Sequence, residues 1–251
     1  MLLKISNWFT LIFFLITTSF RRSDPEKDAI MVIRFAVYVH GVPMQLNKKY
    51  KNPFSEIFEI SRFRFYTGKM VTIYSDAGIK TNLSNAYHLI DFSDSASTLI
   101  ELRVKEGSCK EIQFQLGIDS TDQNQGAQSG VLDPVKGMFW TWNSGYQSFK
   151  IEGVSPASDQ PAHMMAYHIG GYRYPYSTVW KIKLSADKII RISKMNKTMV
   201  EIPIELDNFF DGPHPLHIKE IPDCTTPGEL ARKISENFIS SFKGPVITLN
   251  P

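Results

Sequence analysis

Charge of one sign is in short supply. The 251 residues carry 28 Lys and Arg against 25 Asp and Glu, a formal net charge of +3. Lys4, Arg21 and Arg22 account for all of it, because residues 1–22 contain no acid. A nucleic-acid-binding surface needs a concentrated basic stripe, so that class is excluded. Cysteine is almost absent. Cys109 and Cys224 are the two in the chain, and two cysteines are no disulfide framework. In an oxidising compartment they could pair with each other; in a reducing one they would be small buried hydrophobes. No apolar run approaches the ~20 residues that span a bilayer, so no transmembrane segment is expected in the mature chain. Catalytic signatures are missing too: there is no G-x-S-x-G elbow, no H-E-x-x-H pair and no phosphate-binding loop. The sequence therefore predicts a protein that is not an enzyme.

What is present is ordinary globular material with an aromatic bias. Hydrophobic residues make up 43% and aromatics 12%, including 17 Phe and 10 Tyr, a bias that favours strands. The first segment is different. One Lys precedes an apolar run from Trp8 to Ile16, the length of a secretory h-region. Thr17 and Ser19 are small enough for the cleavage positions. Residues 1–22 are expected to be a signal peptide, and the mature protein periplasmic, secreted or held at the cell surface.

From Val32 onward the apolar pattern has period two. Ile33, Phe35, Val37 and Val39 alternate with more polar neighbours, as do Phe63 and Phe65, then Ile100, Leu102 and Val104, then Ile112, Phe114 and Leu116, and later Val200, Ile202, Ile204 and Leu206. Many short alternating runs separated by turns predict an all-β fold, an antiparallel β-sandwich. Pro203 places its strand at an edge or bulge. One helix is predicted over 226–242. Thr226-Pro227-Gly228-Glu229 has the pattern of a capping box, and Leu230, Ala231, Ile234, Phe238, Ile239 and Phe242 form one stripe that must pack on the sheet body.

Between Leu116 and Tyr146 the periodicity stops. A long segment of this kind in a compact domain is functional or disordered, and its ending in Met138-Phe139-Trp140-Thr141-Trp142 argues for a structured loop. Its carboxylates Asp119, Asp122 and Asp133 are candidate oxygen ligands for calcium. Trp140, Trp142 and Tyr146 are a candidate aromatic platform for a glycan or protein partner.

These same stretches carry a resemblance. Phe114-Gln-Leu-Gly-Ile-Asp119, Gly126-Ala-Gln-Ser-Gly130, Leu132-Asp-Pro134, Gly137-Met-Phe-Trp-Thr-Trp-Asn-Ser-Gly-Tyr146 and Tyr167-His-Ile-Gly-Gly171 resemble the MbnP-like domain family, with Ser61-Arg-Phe-Arg-Phe-Tyr66, Leu89-Ile-Asp91 and the closing segment Pro227–Asn237 fitting the same pattern. The similarity runs over about 31–243, as a single domain. The resemblance implies an exported bacterial β-sandwich, with relatives of the methanobactin-associated MbnP type that bind copper. In some of them a tryptophan oxidised to kynurenine joins histidines at the metal, and a di-haem partner of the peroxidase type performs the oxidation. No position here matches that modified tryptophan.

Imidazole and thioether suit copper. The candidate ligands are His40, at the end of the first strand, His88, His168, and Met164, which shares a strand face with His168. Such a site needs three strands to converge at one end of the sandwich. His163 points to the other face, and His214 and His217 flank Pro215 in a late loop expected to be solvent-exposed. Two function classes follow: an exported copper-binding protein of metal uptake or storage, and a metal-free β-sandwich module that recognises a glycan or partner through aromatic rings.

Overall fold

The structure, a computed structural model, describes residues 28–74, 78, 80–140 and 144–248. The expected signal peptide and Trp142 lie outside these residues. Thirteen strands are present among them: β1 (Ala29–Val39), β2 (Val42–Pro43), β3 (Lys49–Lys51), β4 (Ile57–Tyr74), β5 (Lys80–Asp91), β6 (Leu99–Val104), β7 (Gly107–Leu116), β8 (Gln147–Val154), β9 (Met164–Gly170), β10 (Trp180–Ile192), β11 (Thr198–Glu205), β12 (Asp223–Cys224) and β13 (Val246–Thr248). Three short α-helices accompany them: α1 (Ser120–Gln123), α2 (Leu206–Phe210) and α3 (Glu229–Ser241).

The strands form two sheets. The smaller runs β13-β11-β1-β2, with β6 also pairing β1; the larger runs β10-β7-β4-β8-β9-β12, with β3 and β5 also on β4. The predicted β-rich layered fold is present. The expectation of a purely antiparallel one is corrected: β1 pairs β11 in parallel over Met31–Tyr38, and β12 pairs β9 in parallel, so both sheets are mixed. Alternation of apolar residues fixes which face of a strand is buried, but it carries no information about the direction of the neighbour. Pro203 lies opposite Ala36, beyond the stretch Met199–Glu201 that β13 covers. Its carbonyl accepts from the Lys243 amide at 2.8 Å beside the Ile204–Phe242 bridge, so its missing N–H falls on the side away from β1, at the margin of the sheet.

Between the sheets the period-two residues meet as expected. Phe35 from β1 packs edge-on against Phe65 of β4 at 5.2 Å and Phe114 of β7 at 5.6 Å between ring centroids. Such T-shaped pairs match the ring quadrupoles as well as burying area. The predicted C-terminal helix is present as α3 and closes the side of this core: Phe238 lies 4.2 Å from Phe149, and Phe242, just past the helix end, lies 5.4 Å from Phe114.

The helix start is later than the capping box predicts. Its N-cap is Gly228, with φ +153° and no side-chain cap. The Thr226 carbonyl instead accepts a long contact from the Cys224 thiol. Leu230 is correspondingly turned outward. Pro227 and Gly228 are needed in an extended turn beside Gly171, and that tertiary demand overrides the local capping pattern.

The two cysteines are not joined. Cys109 lies opposite Tyr74 at the far end of β4, whereas Cys224 lies opposite Tyr167, which faces Ile151 and then Phe63. From Phe63 to Tyr74 the strand advances roughly 36 Å at ~3.3 Å per residue, far beyond the ~7 Å Cα limit for a disulfide. The Cys109 thiol donates to the Glu111 carbonyl at 3.1 Å, and burial pushes the Cys224 thiol up to about 11.

Candidate binding site

The register of the larger sheet decides the fate of the proposed metal ligands. Phe63, Phe65, Ile151 and Tyr167 alternate inward on β4, β8 and β9, so Arg64, Lys150 and His168, which face one another across the same strands, lie on the outer surface. His88 lies opposite Thr67, two residues on from Phe65, and therefore on the inner side. His88 and His168 are on opposite faces of one sheet. His40 belongs to the other sheet, in a left-handed conformation just past β1, where its Nδ1 donates to Asp207 Oδ2 at 2.8 Å. Met164 and His168 share a face, as expected, but stand four residues apart, about 13 Å along a strand. The four candidates do not converge.

Each histidine has a local employment instead. His168 Nε2 donates to Glu152 Oε1 at 2.7 Å, and Arg62 Nη1 reaches Glu152 Oε2 at the same distance. The hydrogen bond from His168, with Lys150 and Arg62 nearby, holds the Glu152 carboxyl down at about 2 against the desolvation that opposes it. His163 Nδ1 donates to the Ser158 carbonyl at 2.9 Å. His214 and His217 are half-buried rather than exposed: His214 Nε2 pairs with Glu236 at 2.6 Å, and the His217 ring stacks 3.9 Å from Phe54. His88 is the exception. Its Nε2 is buried without a partner among the described residues, and burial lowers its pKa. A lone neutral imidazole is one donor, and copper needs several converging ones. Among the described residues no three His, Cys, Asp or Glu side chains gather as a metal would require. The residues present do not fit copper.

Calcium fares no better. Asp119 caps α1 and pairs with Lys69, Asp122 Oδ2 accepts from Tyr87 Oη at 2.8 Å, and Asp133 caps the short turn at Pro134–Lys136. Asp119 and Asp122 share the α1 turn, where each has its own side-chain partner, and Asp133 is committed to a different turn.

The loop between β7 and β8 is nonetheless structured, and for reasons a periodicity reading could not supply. Tyr146 is fully buried, not part of a platform. Its hydroxyl donates to the Leu132 carbonyl at 2.8 Å and accepts from the Gln128 amide at 2.9 Å, and its ring packs edge-on against Tyr66. Gln123 accepts the Tyr146 amide at 2.6 Å. Two cations on the outer sheet face hold the next turn by its carbonyls: Arg64 Nη1 donates to Lys136 O at 2.9 Å and Lys150 Nζ to Gly137 O at 2.6 Å. Desolvation lowers the Lys150 pKa, so the carbonyl and Glu152 are what keep that ammonium in place. Neither residue announced this role; Arg64 and Lys150 read as the polar half of a strand alternation.

From this base the Trp140 ring reaches β9. Trp140 is half-buried, with its ring against Gly170, where any Cβ would come within 2.7 Å of Cζ3. Beyond Gly171, at φ +118° and close to Pro227, the chain leaves the sheet. The segment that follows, with Ser144, Pro227 and Gly228, walls a cleft of about 250 Å³ lined by Tyr172, Arg173, Tyr174 and Tyr176. Tyr174 is 95% exposed and Tyr176 42%. Arg173 stacks over the Tyr172 ring at 5.3 Å and donates to its hydroxyl at 3.2 Å. An aromatic surface is present here, on residues other than Trp140 and Tyr146. The sequence signal was available in Tyr172-Arg-Tyr-Pro-Tyr176, three tyrosines at alternate positions directly after the paired glycines.

Comparison with known proteins agrees with this architecture. The family model described as MbnP matches residues 28–226. The solved structure of MbnP from Methylosinus trichosporium superposes with a TM-score of 0.58 at 15% identity, covering 79% of this chain and 83% of that one. At that identity the likeness is one of fold. No curated protein matches the sequence. The chain belongs to the MbnP family.

Proposed function

We propose that this member of the MbnP family is an exported, non-catalytic binding module that holds its ligand in the tyrosine cleft. The observation that carries the reading is the 95% exposure of Tyr174 at the rim of a concave site. Large aromatic rings left in water beside a cleft are characteristic of binding surfaces. The segment that walls this cleft is tied down: Thr178 donates to the Gly171 carbonyl through both its amide and its hydroxyl, and Tyr172 Oη donates to Asn124 Oδ1, so the cleft wall is preformed rather than assembled on binding. Export rests on the h-region over Trp8–Ile16, and places the module in the periplasm, outside the cell or on its surface.

Copper binding in uptake or storage, together with a di-haem peroxidase-type partner, is the reading that competes. Its support is the family, and the scatter of His40, His88, His168 and Met164 tells against it. Elemental analysis of protein purified from its native host separates the two, alongside Cu(I) competition on wild type and His88→Ala. We expect copper well below one equivalent and equal, weak Cu(I) binding by both proteins. Stoichiometric copper, or tight binding lost in the variant, would overturn the module reading.

A further inference from the structure

Resting on that reading, we infer that the cleft at Tyr172–Tyr176 takes a carboxylated sugar ring, a uronic-acid-type residue of a polysaccharide. Size is the first argument. At about 250 Å³ the cleft is smaller than the ~300–1,000 Å³ of sites for drug-sized ligands, and suits one ring with its neighbours in the chain extending past the open rim. Chemistry is the second. The C–H face of a pyranose is apolar and stacks on an aromatic ring, while its edge carries hydroxyls. Tyr174 and Tyr176 present both a ring and a hydroxyl, and among the described residues neither hydroxyl makes a hydrogen bond.

Charge is the third argument, and it selects the class of sugar. Arg173 is the charged side chain of the cleft, and no Asp or Glu is among the described residues that line it. No ion pair involves Arg173 among the described residues. Its guanidinium is instead held by the Tyr172 ring and hydroxyl, and because the side chain is exposed its remaining donors are open to a ligand. A guanidinium fork matches a carboxylate in bidentate fashion. An inorganic anion would use Arg173 and ignore three phenol rings; a neutral sugar would use the rings and leave Arg173 idle. A uronate uses both.

The test is an amide-resolved NMR titration of the full mature chain with trigalacturonic acid and with its neutral counterpart, α-1,4-galactotriose. Arg173→Gln and Tyr174→Ala are exposed changes that leave the fold intact, checked by their unfolding midpoints. We expect trigalacturonate to shift the amides of 171–177 and 227–228, to bind at least tenfold more weakly to either variant, and to weaken with added salt. Equal binding of the neutral trisaccharide at the same amides, unaffected by Arg173→Gln, would overturn the carboxylate assignment and leave the cleft as a binding site. Absence of shifts at those amides with both sugars would overturn the sugar assignment altogether. That outcome together with stoichiometric copper in native protein would remove the module reading as well.

Discussion

The space between the sheets and the loop beneath the cleft are both buried, yet they are held by different physics. Between the sheets, Phe35, Phe63, Phe65, Phe114, Phe149, Phe209 and Phe238 pack ring on ring, and most of the attraction is apolar burial, which is non-directional. Under the loop, a small cluster of Tyr66, Ile118, Leu132, Met138 and Tyr146 is threaded by hydrogen bonds to backbone carbonyls and amides. The first kind of core tolerates some rearrangement. The second fixes one path for an irregular chain, because its buried donors and acceptors are matched to particular backbone partners.

The sharpest way to break this contrast is in the phenylalanine core. Phe238→Ala removes a ring in contact with those of Phe63, Phe65, Phe149, Phe209 and Phe242. It should cost about 3–5 kcal/mol, seen as a lower denaturant midpoint for the whole domain. Loss under 1 kcal/mol would mean that α3 is not part of the cooperative core. Tyr146→Phe keeps the ring and deletes the hydroxyl, stranding the Gln128 amide and the Leu132 carbonyl. It should cost about 1–3 kcal/mol, with hydrogen exchange rising in 118–146 more than in the strands. Uniform acceleration across both regions would show that the loop does not open separately.

The smallest effect is electrostatic and appears with pH. Glu152 has its folded pKa depressed to about 2, so its contribution is present above the ordinary carboxylate pKa of ~4.3 and is lost as pH falls toward 2. Glu152→Gln should therefore flatten the fall in stability between about pH 5 and pH 2, measured by urea unfolding at each pH. A variant with the same acid slope as wild type would place the sensitivity elsewhere.

Sequence patterning reached the two regions unequally. Strand alternation at Ile33–Val39, Ile100–Val104 and Ile112–Leu116 predicts the buried faces, because one residue's side of a sheet follows from its neighbours'. The stripe from Ala231 to Phe242 predicts α3 in the same way. The site was far less legible. Whether His88 and His168 share a face depends on the pairing register of β4 with β5 and β8, which no local pattern contains. Tyr146 looks the same in sequence whether it caps a platform or bonds to Leu132. Arg64 and Lys150 hold the carbonyls of a loop some 70 and 13 residues away, a role visible only once the chain is folded. The aromatic character of the end of the sandwich was readable; which rings turn outward was not.

The parallel pairing of β1 with β11 sets a timetable for the molecule. β1 is the first strand of the described chain, and its partner begins at Thr198. Contacts this distant in sequence slow folding, because a long loop must close before they form. At synthesis rates of ~5–20 residues per second, about 10–30 s separate the appearance of the two strands. Throughout that interval β1 can pair with β2 and β6, but its other edge lacks a ladder and the smaller sheet cannot be completed. The smaller sheet is thus kept unfinished until about the last fifth of the chain exists, and any truncation before β11 leaves an apolar strand searching for a partner.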